Sequence, residues 1–147
     1  MLRKYVMASV FCLALPIGAN ASCNGHELAA EMTRYGITAE VTAEQDTYDK
    51  VKMWRDGDGT NVYVDKSDGD LIFREWYGSS YAPNLRKAND INMQYKFVKA
   101  AIDDDGDLQV SYYVANFEEG CSSFVRSHAQ TWWNLEEAVE EFLEKAL

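Results

Sequence analysis

Three short acidic turns, each containing glycine, divide the middle of the chain into strand-length segments. The turns are Asp56-Gly57-Asp58-Gly59, Ser67-Asp68-Gly69-Asp70 and Asp103-Asp104-Asp105-Gly106. Aspartate and glycine tolerate the positive φ angles of tight hairpins, so turns of this composition join neighbouring antiparallel strands. The turns therefore predict a run of antiparallel strands.

Side-chain alternation identifies the strands around these turns. Val51 and Met53 alternate with Lys52 and Trp54, which is typical of a strand with one buried face. Further strands are predicted over 37–41, 61–64, 71–77, 97–102 and 108–114. The last of these alternates most regularly, whereas 71–77 is apolar at both parities, so its orientation stays open.

Helical spacing predicts two short helices, over 25–35 and 84–93, and a longer helix that begins near Ser122 or Ser123. Gly36 follows the first helix at a position that suits a left-handed helix end. The predicted apolar faces are Leu28, Met32 and Tyr35; Leu85, Ala88 and Ile91; and Phe124, His128, Trp132, Leu135, Val139 and Phe142. The opposite side of the last helix carries Glu137, Glu140, Glu141 and Glu144.

The resulting order is α-β-β-β-β-α-β-β-α. Strands joined by short turns, with helices before, between and after them, predict an α+β domain. We expect one antiparallel sheet with the helices packed on one of its faces.

The first 21 residues are typical of a cleaved secretory signal peptide. Arg3 and Lys4 precede an apolar run over 6–15, and small residues at Ala19 and Ala21 fit a peptidase site. The run is too short for a membrane-spanning helix, which needs roughly 20 apolar residues. A lipoprotein anchor at Cys23 is the other alternative, but Asn20 stands where such sites prefer an aliphatic residue. We therefore expect a single domain over 22–147, periplasmic or secreted, with no membrane insertion.

The charge of the mature chain limits its partners. The leader holds two of the 14 basic residues and none of the 24 acidic residues, which leaves a net charge of −12. Such a chain repels phosphate backbones and anionic membrane surfaces, so nucleic acid is not an expected partner.

Two cysteines remain after cleavage, because Cys12 leaves with the leader. Cys23 and Cys121 form an even pair in an oxidising compartment, which predicts a disulfide. Two unpaired thiols are the alternative.

The sequence does not indicate a metal site, a cofactor or a catalytic centre. The acidic turns lack the ligand spacing of a calcium-binding EF-hand loop. Zinc would require Cys23, His26, Cys121 and His128 to cluster, which a disulfide forbids. We interpret His128 as a packing residue of the last helix, because no partner that would orient it for catalysis is visible.

One face of the predicted sheet is a candidate partner surface. If the aliphatic residues of the strands face the helices, an aromatic and basic set faces away from them. This set is Lys52, Trp54, Tyr63, Arg74, Trp76 and Tyr113. The alternative is that these aromatics only form cross-strand pairs that stabilise the sheet.

The chain resembles the YbjN-domain family, whose members are described as bacterial sensory transduction regulators. The resemblance rests on Tyr35-Gly36, on Asn89 and Asn92 in the second helix, on Phe97 and on the acidic turn 103–107. Ile91 stands where family members usually carry tryptophan. The resemblance implies a fold similar to type III secretion chaperones, which bind proteins and often dimerise, and it carries over no catalytic residue.

These observations predict an exported, non-enzymatic, protein-binding regulator, adaptor or chaperone-like factor that can act as a homodimer. The alternative is a periplasmic carrier or sensor of a small apolar ligand, held between the sheet and the last helix near Trp132 and Trp133. An unrecognised hydrolase ranks third, because the sequence shows no nucleophile, base and orienting group.

Overall fold

The computed structural model describes residues 23–115, 120–121 and 125–147. Its elements in chain order are α1 (Gly25–Arg34), β1 (Thr38–Glu44), β2 (Tyr48–Arg55), β3 (Asp58–Asp65), β4 (Leu71–Tyr77), a 3-10 turn (Ser79–Tyr81), α2 (Leu85–Gln94), β5 (Val98–Ile102), β6 (Leu108–Val114) and α3 (Val125–Lys145). The predicted α+β order is confirmed. The leader, the loop 116–119 and the proposed helix caps Ser122 and Ser123 lie outside the described residues.

The strands form one six-stranded sheet in the order β1-β2-β3-β4-β6-β5, and every neighbouring pair is antiparallel. β1 contains a bulge between Val41 and Ala43. β1 and β5 are the two edge strands.

The first predicted hairpin turn is confirmed in detail. Arg55 pairs with Asp58, so Asp56 and Gly57 are the two residues of the loop. Their φ angles are 54° and 100°, as a type I′ turn requires. Aspartate tolerates the left-handed region and glycine adopts it without a Cβ clash, so the sequence dictates this turn.

The inner face of the sheet carries the core. The alternating apolar residues of the central strands are buried, as predicted for Val51, Met53, Val62, Val64, Val110 and Tyr112. α3 packs on this face through Trp132, whose ring stacks on Phe73 with the centroids 6.0 Å apart.

Two predicted helix faces need correction at their ends. In α1, Leu28 and Met32 are buried, but Tyr35 is 46% exposed because it forms the C-cap. In α2, Ala88 is buried, but Leu85 is 71% exposed. Both helices are short, so their terminal residues extend past the sheet that would cover them.

The predicted apolar stripe of α3 is displaced by about one position. Trp132 and Val139 are buried as expected, but Leu135 is only partly buried. The fully covered positions are Val125, Ala129, Trp132, Trp133, Val139 and Leu143. The predicted member Phe124 lies outside the described residues. The glutamates predicted for the opposite side, such as Glu141, are exposed.

The start of α1 is fixed by a disulfide between Cys23 and Cys121, which are 98 residues apart in the chain. The predicted pairing is therefore present in the structure. Both cysteines are buried. Among the residues that the structure describes, no helix is long and apolar enough to cross a membrane.

Candidate functional site

Strand alternation brings the predicted aromatic and basic residues together on the face of the sheet opposite the core, here called the outer face. Trp54 and Lys52 lie on β2, Tyr63 on β3, Arg74 and Trp76 on β4, and Tyr113 on β6. The register sets Asn61 of β3 opposite both Lys52 and Arg74, and Arg74 opposite Ser111 of β6. The grouping is therefore as the sequence predicted. Its role as a partner surface stays a prediction.

Arg74 is at the centre of this face. Its guanidinium lies over the ring of Tyr63, 5.0 Å from the centroid, and 5.8 Å from that of Trp76. Its Nε donates to Ser111 Oγ at 3.2 Å. Two cation–π contacts and a hydrogen bond therefore hold the guanidinium in place on this face.

Tyr63 lies close to two cations. The Lys50 ammonium is 5.7 Å from its ring centroid and the Arg74 guanidinium is 5.0 Å from it. Burial raises the pKa of Tyr63 although the Arg74 charge lowers it. The hydroxyl therefore keeps its proton at neutral pH and can donate to an acidic partner.

Trp54 lies flat on the sheet because Gly59 stands opposite it. A Cβ at Gly59 would lie 2.9 Å from Trp54 Nε1 and would clash with Lys52 Cε. The Lys52 ammonium is 5.7 Å from the Trp54 ring. Glycine at this position therefore lets the indole and the lysine stem cover the backbone.

A groove of about 480 Å³ continues the outer face towards the edge strand β5. Arg74, Lys99 and Tyr113 line it, together with Phe97 from the connection between α2 and β5. Tyr113 is 57% exposed and Phe97 is 73% exposed. The sequence predicts Phe97 as the first residue of a strand, but β5 begins at Val98, so Phe97 lies before the strand and borders this groove.

The outer face differs in charge from the rest of the chain. Its cations are Lys50, Lys52, Arg74 and Lys99, and Glu40 and Asp65 lie at its margins. The chain as a whole has a net charge of −10. The outer face is thus a basic and aromatic surface on an acidic protein.

One edge of the sheet is closed by a side chain. Asn92 of α2 donates from Nδ2 to the carbonyl of Ala100 at 2.9 Å, and its Oδ1 accepts from the Ala100 N–H at 2.8 Å. The amide therefore takes the place of a neighbouring strand on β5. Strand addition at this point of β5 would have to displace Asn92.

The residues considered for catalysis lie apart from the outer face. His128 Nδ1 is 2.8 Å from the Tyr112 hydroxyl on the inner side of the sheet. Burial lowers the pKa of His128, which favours the neutral ring. Within the described part of the chain, no group of three or more histidine, cysteine or acidic residues could hold a metal ion.

A small apolar ligand was expected between the sheet and α3 near Trp132 and Trp133, but core side chains fill this position. Trp132 is fully buried and stacks on Phe73, and Trp133 is buried beneath Arg55. Two cavities that border α3 are lined by carboxylates, including Glu136 and Glu140.

A family model described as "Putative bacterial sensory transduction regulator", named YbjN, matches residues 25–125. No curated protein gives a significant match, and no solved structure does so. The matched range contains α1, all six strands and α2, and therefore the whole outer face.

Proposed function

The chain belongs to the YbjN family, and on that premise we propose that it is a non-enzymatic regulator or adaptor that recognises a protein partner through the outer face. The observation that carries the proposal is the array of Arg74, Tyr63 and Trp76 on the face of the sheet opposite the core. Aromatic residues and arginine are the types most enriched at binding hot spots.

Charge complementarity gives the chemistry of the partner. The outer face concentrates cations on a protein whose net charge is −10, so it favours a segment that carries carboxylates. The rings of Trp54 and Tyr113 add apolar area for side chains between those carboxylates. We therefore propose an acidic protein segment with interspersed apolar residues as the ligand.

A single-stranded nucleic acid would also meet cations and stacking surfaces on this face. However, the mature chain carries a net charge of −12 after removal of the leader, and this charge repels a phosphate backbone at long range. A peptide segment has a lower charge density, so it is the ligand that we favour.

The site of action that we propose is the periplasm or the medium outside the cell. The leader pattern over residues 1–21 supports export. The disulfide between Cys23 and Cys121 is the type of cross-link that persists in oxidising compartments. We also propose that the protein can act as a homodimer.

The test compares tagged protein and its variants in intact cells of the native host, with chemical crosslinking followed by native mass spectrometry. The test variant replaces Trp54 and Tyr63 together by Ser, which removes both rings from the outer face. The matched control is Tyr35→Ser, since Tyr35 is an exposed aromatic at the end of α1, away from the outer face. Circular dichroism and unfolding midpoints establish that both variants fold.

A stoichiometric protein adduct that the double variant loses and the Tyr35 variant keeps supports the proposal. An adduct that persists in the folded double variant contradicts it. Adducts that nuclease removes would identify the partner as a nucleic acid and not a protein. A small residual mass without a protein adduct would favour the small-ligand carrier.

A further inference from the structure

β3 and β4 separate before they end. Their register stops at Asn61 opposite Arg74, although β3 begins at Asp58 and β4 continues to Tyr77. A cavity of about 260 Å³ lies where 58–60 and 75–77 diverge, next to α3. We call it the strand-split cleft. The residues that matter for its chemistry are Asp58, Glu75, Tyr77, Tyr81, Glu136 and Glu140.

Carboxylates dominate the cleft. Glu75 lies on the inner side of β4, and burial raises its pKa although Lys52 and Lys50 lower it. Burial also raises the pKa of Glu136 to about 7, against a hydrogen bond from Thr60. Among the described residues, neither glutamate has an ion-pair partner within 4.0 Å.

Glu140 adds a further negative charge above the same cleft. Burial and neighbouring carboxylates raise its pKa, against the opposing charge of Arg55. Beyond burial, the charges of Glu75 and Glu140 raise the pKa of Glu136, whereas Arg55 lowers it, and carboxylates with such shifts concentrate at functional sites.

Two residues that line the cleft each have a buried polar atom without a hydrogen-bond partner among the residues described. These atoms are Glu75 Oε2 and the hydroxyl of Tyr77, whose side chain is only 3% exposed. Burial, together with the charges of Glu136, Glu140 and Glu75, raises the pKa of Tyr77, so the hydroxyl keeps its proton. Unpaired buried polar atoms are rare, and each is a natural contact for a bound group.

Aromatic rings complete the wall. Tyr77 and Tyr81 meet edge to face with their centroids 5.4 Å apart. In the adjoining cavity, which shares Glu136 and Glu140, the Arg55 guanidinium lies 5.2 Å above the Trp133 ring. The adjoining cavity thus already holds a cation, the Arg55 guanidinium, between the Trp133 ring and the carboxylates of Glu136 and Glu140.

We propose that the strand-split cleft binds an alkylammonium group, held by Glu75, Glu136 and the Tyr77 hydroxyl beside the Tyr81 ring. An ammonium has three N–H donors and no acceptor, which matches this set of acceptors. The attached alkyl chain would lie against the rings, where a cation–π contact adds to binding. The site is separate from the outer face and does not rest on the proposed partner.

Other ligand classes fit less well. A calcium ion needs six to eight oxygens around one point, and no group of metal-ligating residues is found in the described part of the chain. An apolar ligand would leave the carboxylates and the Tyr77 hydroxyl buried without partners, which costs free energy.

The test is a titration of mature protein with n-butylammonium chloride, followed by the indole N–H signal of Trp76 in nitrogen–proton correlation spectra. Sodium chloride at equal ionic strength is the salt control. We expect saturable shifts with the amine alone. Glu75→Gln should weaken binding by roughly tenfold or more, the usual effect of losing a charge-assisted hydrogen bond.

The matched control is Glu144→Gln, which removes one negative charge from an exposed position of α3 outside the cleft. We expect it to bind the amine as the unmodified protein does. Equal losses in the two variants, or shifts no larger than those with sodium chloride, would overturn the proposal. Calcium shifts without amine shifts would overturn it as well.

Two further ligands test whether the alkylammonium group comes from a protein side chain or a small amine, and whether it is held through its N–H donors. Tighter binding of a lysine-containing peptide than of n-butylammonium would assign the group to a protein side chain, and the reverse would assign it to a small amine. Tetramethylammonium has no N–H donor, so we expect it to bind more weakly. Equal affinity would contradict the three-acceptor arrangement.

Discussion

Thr60 Oγ1 donates a hydrogen bond of 3.1 Å to Glu136 Oε1, which links β3 to α3. The same hydroxyl accepts from Trp132 Nε1 at 3.3 Å. Thr60 is buried, so one threonine satisfies both the indole of the core and a carboxylate at its margin. The hydrogen bond from Thr60 thus positions Glu136 at the strand-split cleft and partly offsets the cost of its desolvation.

Glu136→Gln should stabilise the protein at neutral and alkaline pH. The folded pKa of Glu136 is about 7 against an ordinary value of 4.5, so the folded state binds the proton more tightly than the unfolded state. Stability therefore falls as pH rises between these two values. Gln keeps an oxygen acceptor for Thr60, and we expect a gain of about 1–2 kcal/mol at about pH 8 after allowance for solvent screening.

Chemical denaturation of both proteins across this pH range measures the effect. The gain should shrink towards about pH 5, where the folded protein already carries the proton. A variant that is less stable than the unmodified protein at the higher pH would contradict the assigned pKa.

Loss of the disulfide should be strongly destabilising. Cys23 and Cys121 close a loop with a sequence separation of 98, for which the chain-entropy relation gives about 4.7 kcal/mol. Reduction, or replacement of both cysteines by Ala, should lower the denaturation midpoint accordingly. Two free thiols in denatured, unreduced protein would show that the bridge does not form.

Asp49→Asn should weaken the junction between α1 and β2. Asp49 is 3% exposed, accepts from the Gly25 N–H at 3.0 Å and pairs with the Lys66 ammonium at 2.9 Å. Burial would raise the pKa of Asp49, but these two donors lower it. The carboxylate therefore stabilises the fold at neutral pH, and this contribution is lost as pH falls through its folded pKa.

We expect a loss of about 2 kcal/mol at neutral pH from the Asp49 variant. The difference from the unmodified protein should decrease in acid. Asp46→Asn, at an exposed position of the turn between β1 and β2, is the control and should change the unfolding free energy little. An equal loss from both variants would indicate a general charge effect.

Asn92→Ala should expose the edge of β5. The substitution removes both hydrogen bonds to Ala100, at a cost of about 1–2 kcal/mol. It should also increase self-association, because an open strand edge can pair with another chain. Sedimentation velocity and denaturation measure the two effects, and Asn89→Ala, one turn earlier on the exposed side of α2, should show neither.

The sheet was predictable because its signals are local. The pair Asp56-Gly57 adopts positive φ angles for stereochemical reasons that do not depend on the rest of the fold. The alternation of Leu108 to Val114 assigns each side chain to one face. The same parity argument placed Lys52, Trp54 and Tyr63 together on the outer face.

The helix ends were less predictable. Tyr35 and Leu85 have the right spacing for an apolar face, but each lies at the end of its helix, and coverage there depends on how far the sheet extends. The stripe of α3 was displaced because Trp132 and Trp133 are adjacent and both are buried. Spacing alone cannot decide how a helix with two neighbouring large rings is rotated on a sheet.

By itself, the sequence determined the turns, the strand parity and the composition of the outer face, since each follows from backbone stereochemistry and a period of two. Tertiary structure alone decided the orientation of 71–77, which is apolar at both parities. Pairing with β3 and β6 turns Glu75 and Tyr77 inward, and α3 brings Glu136 to them from a distant part of the chain. Electrostatic coupling depends on distances in space, and for these three residues only the packing of α3 on the sheet sets those distances.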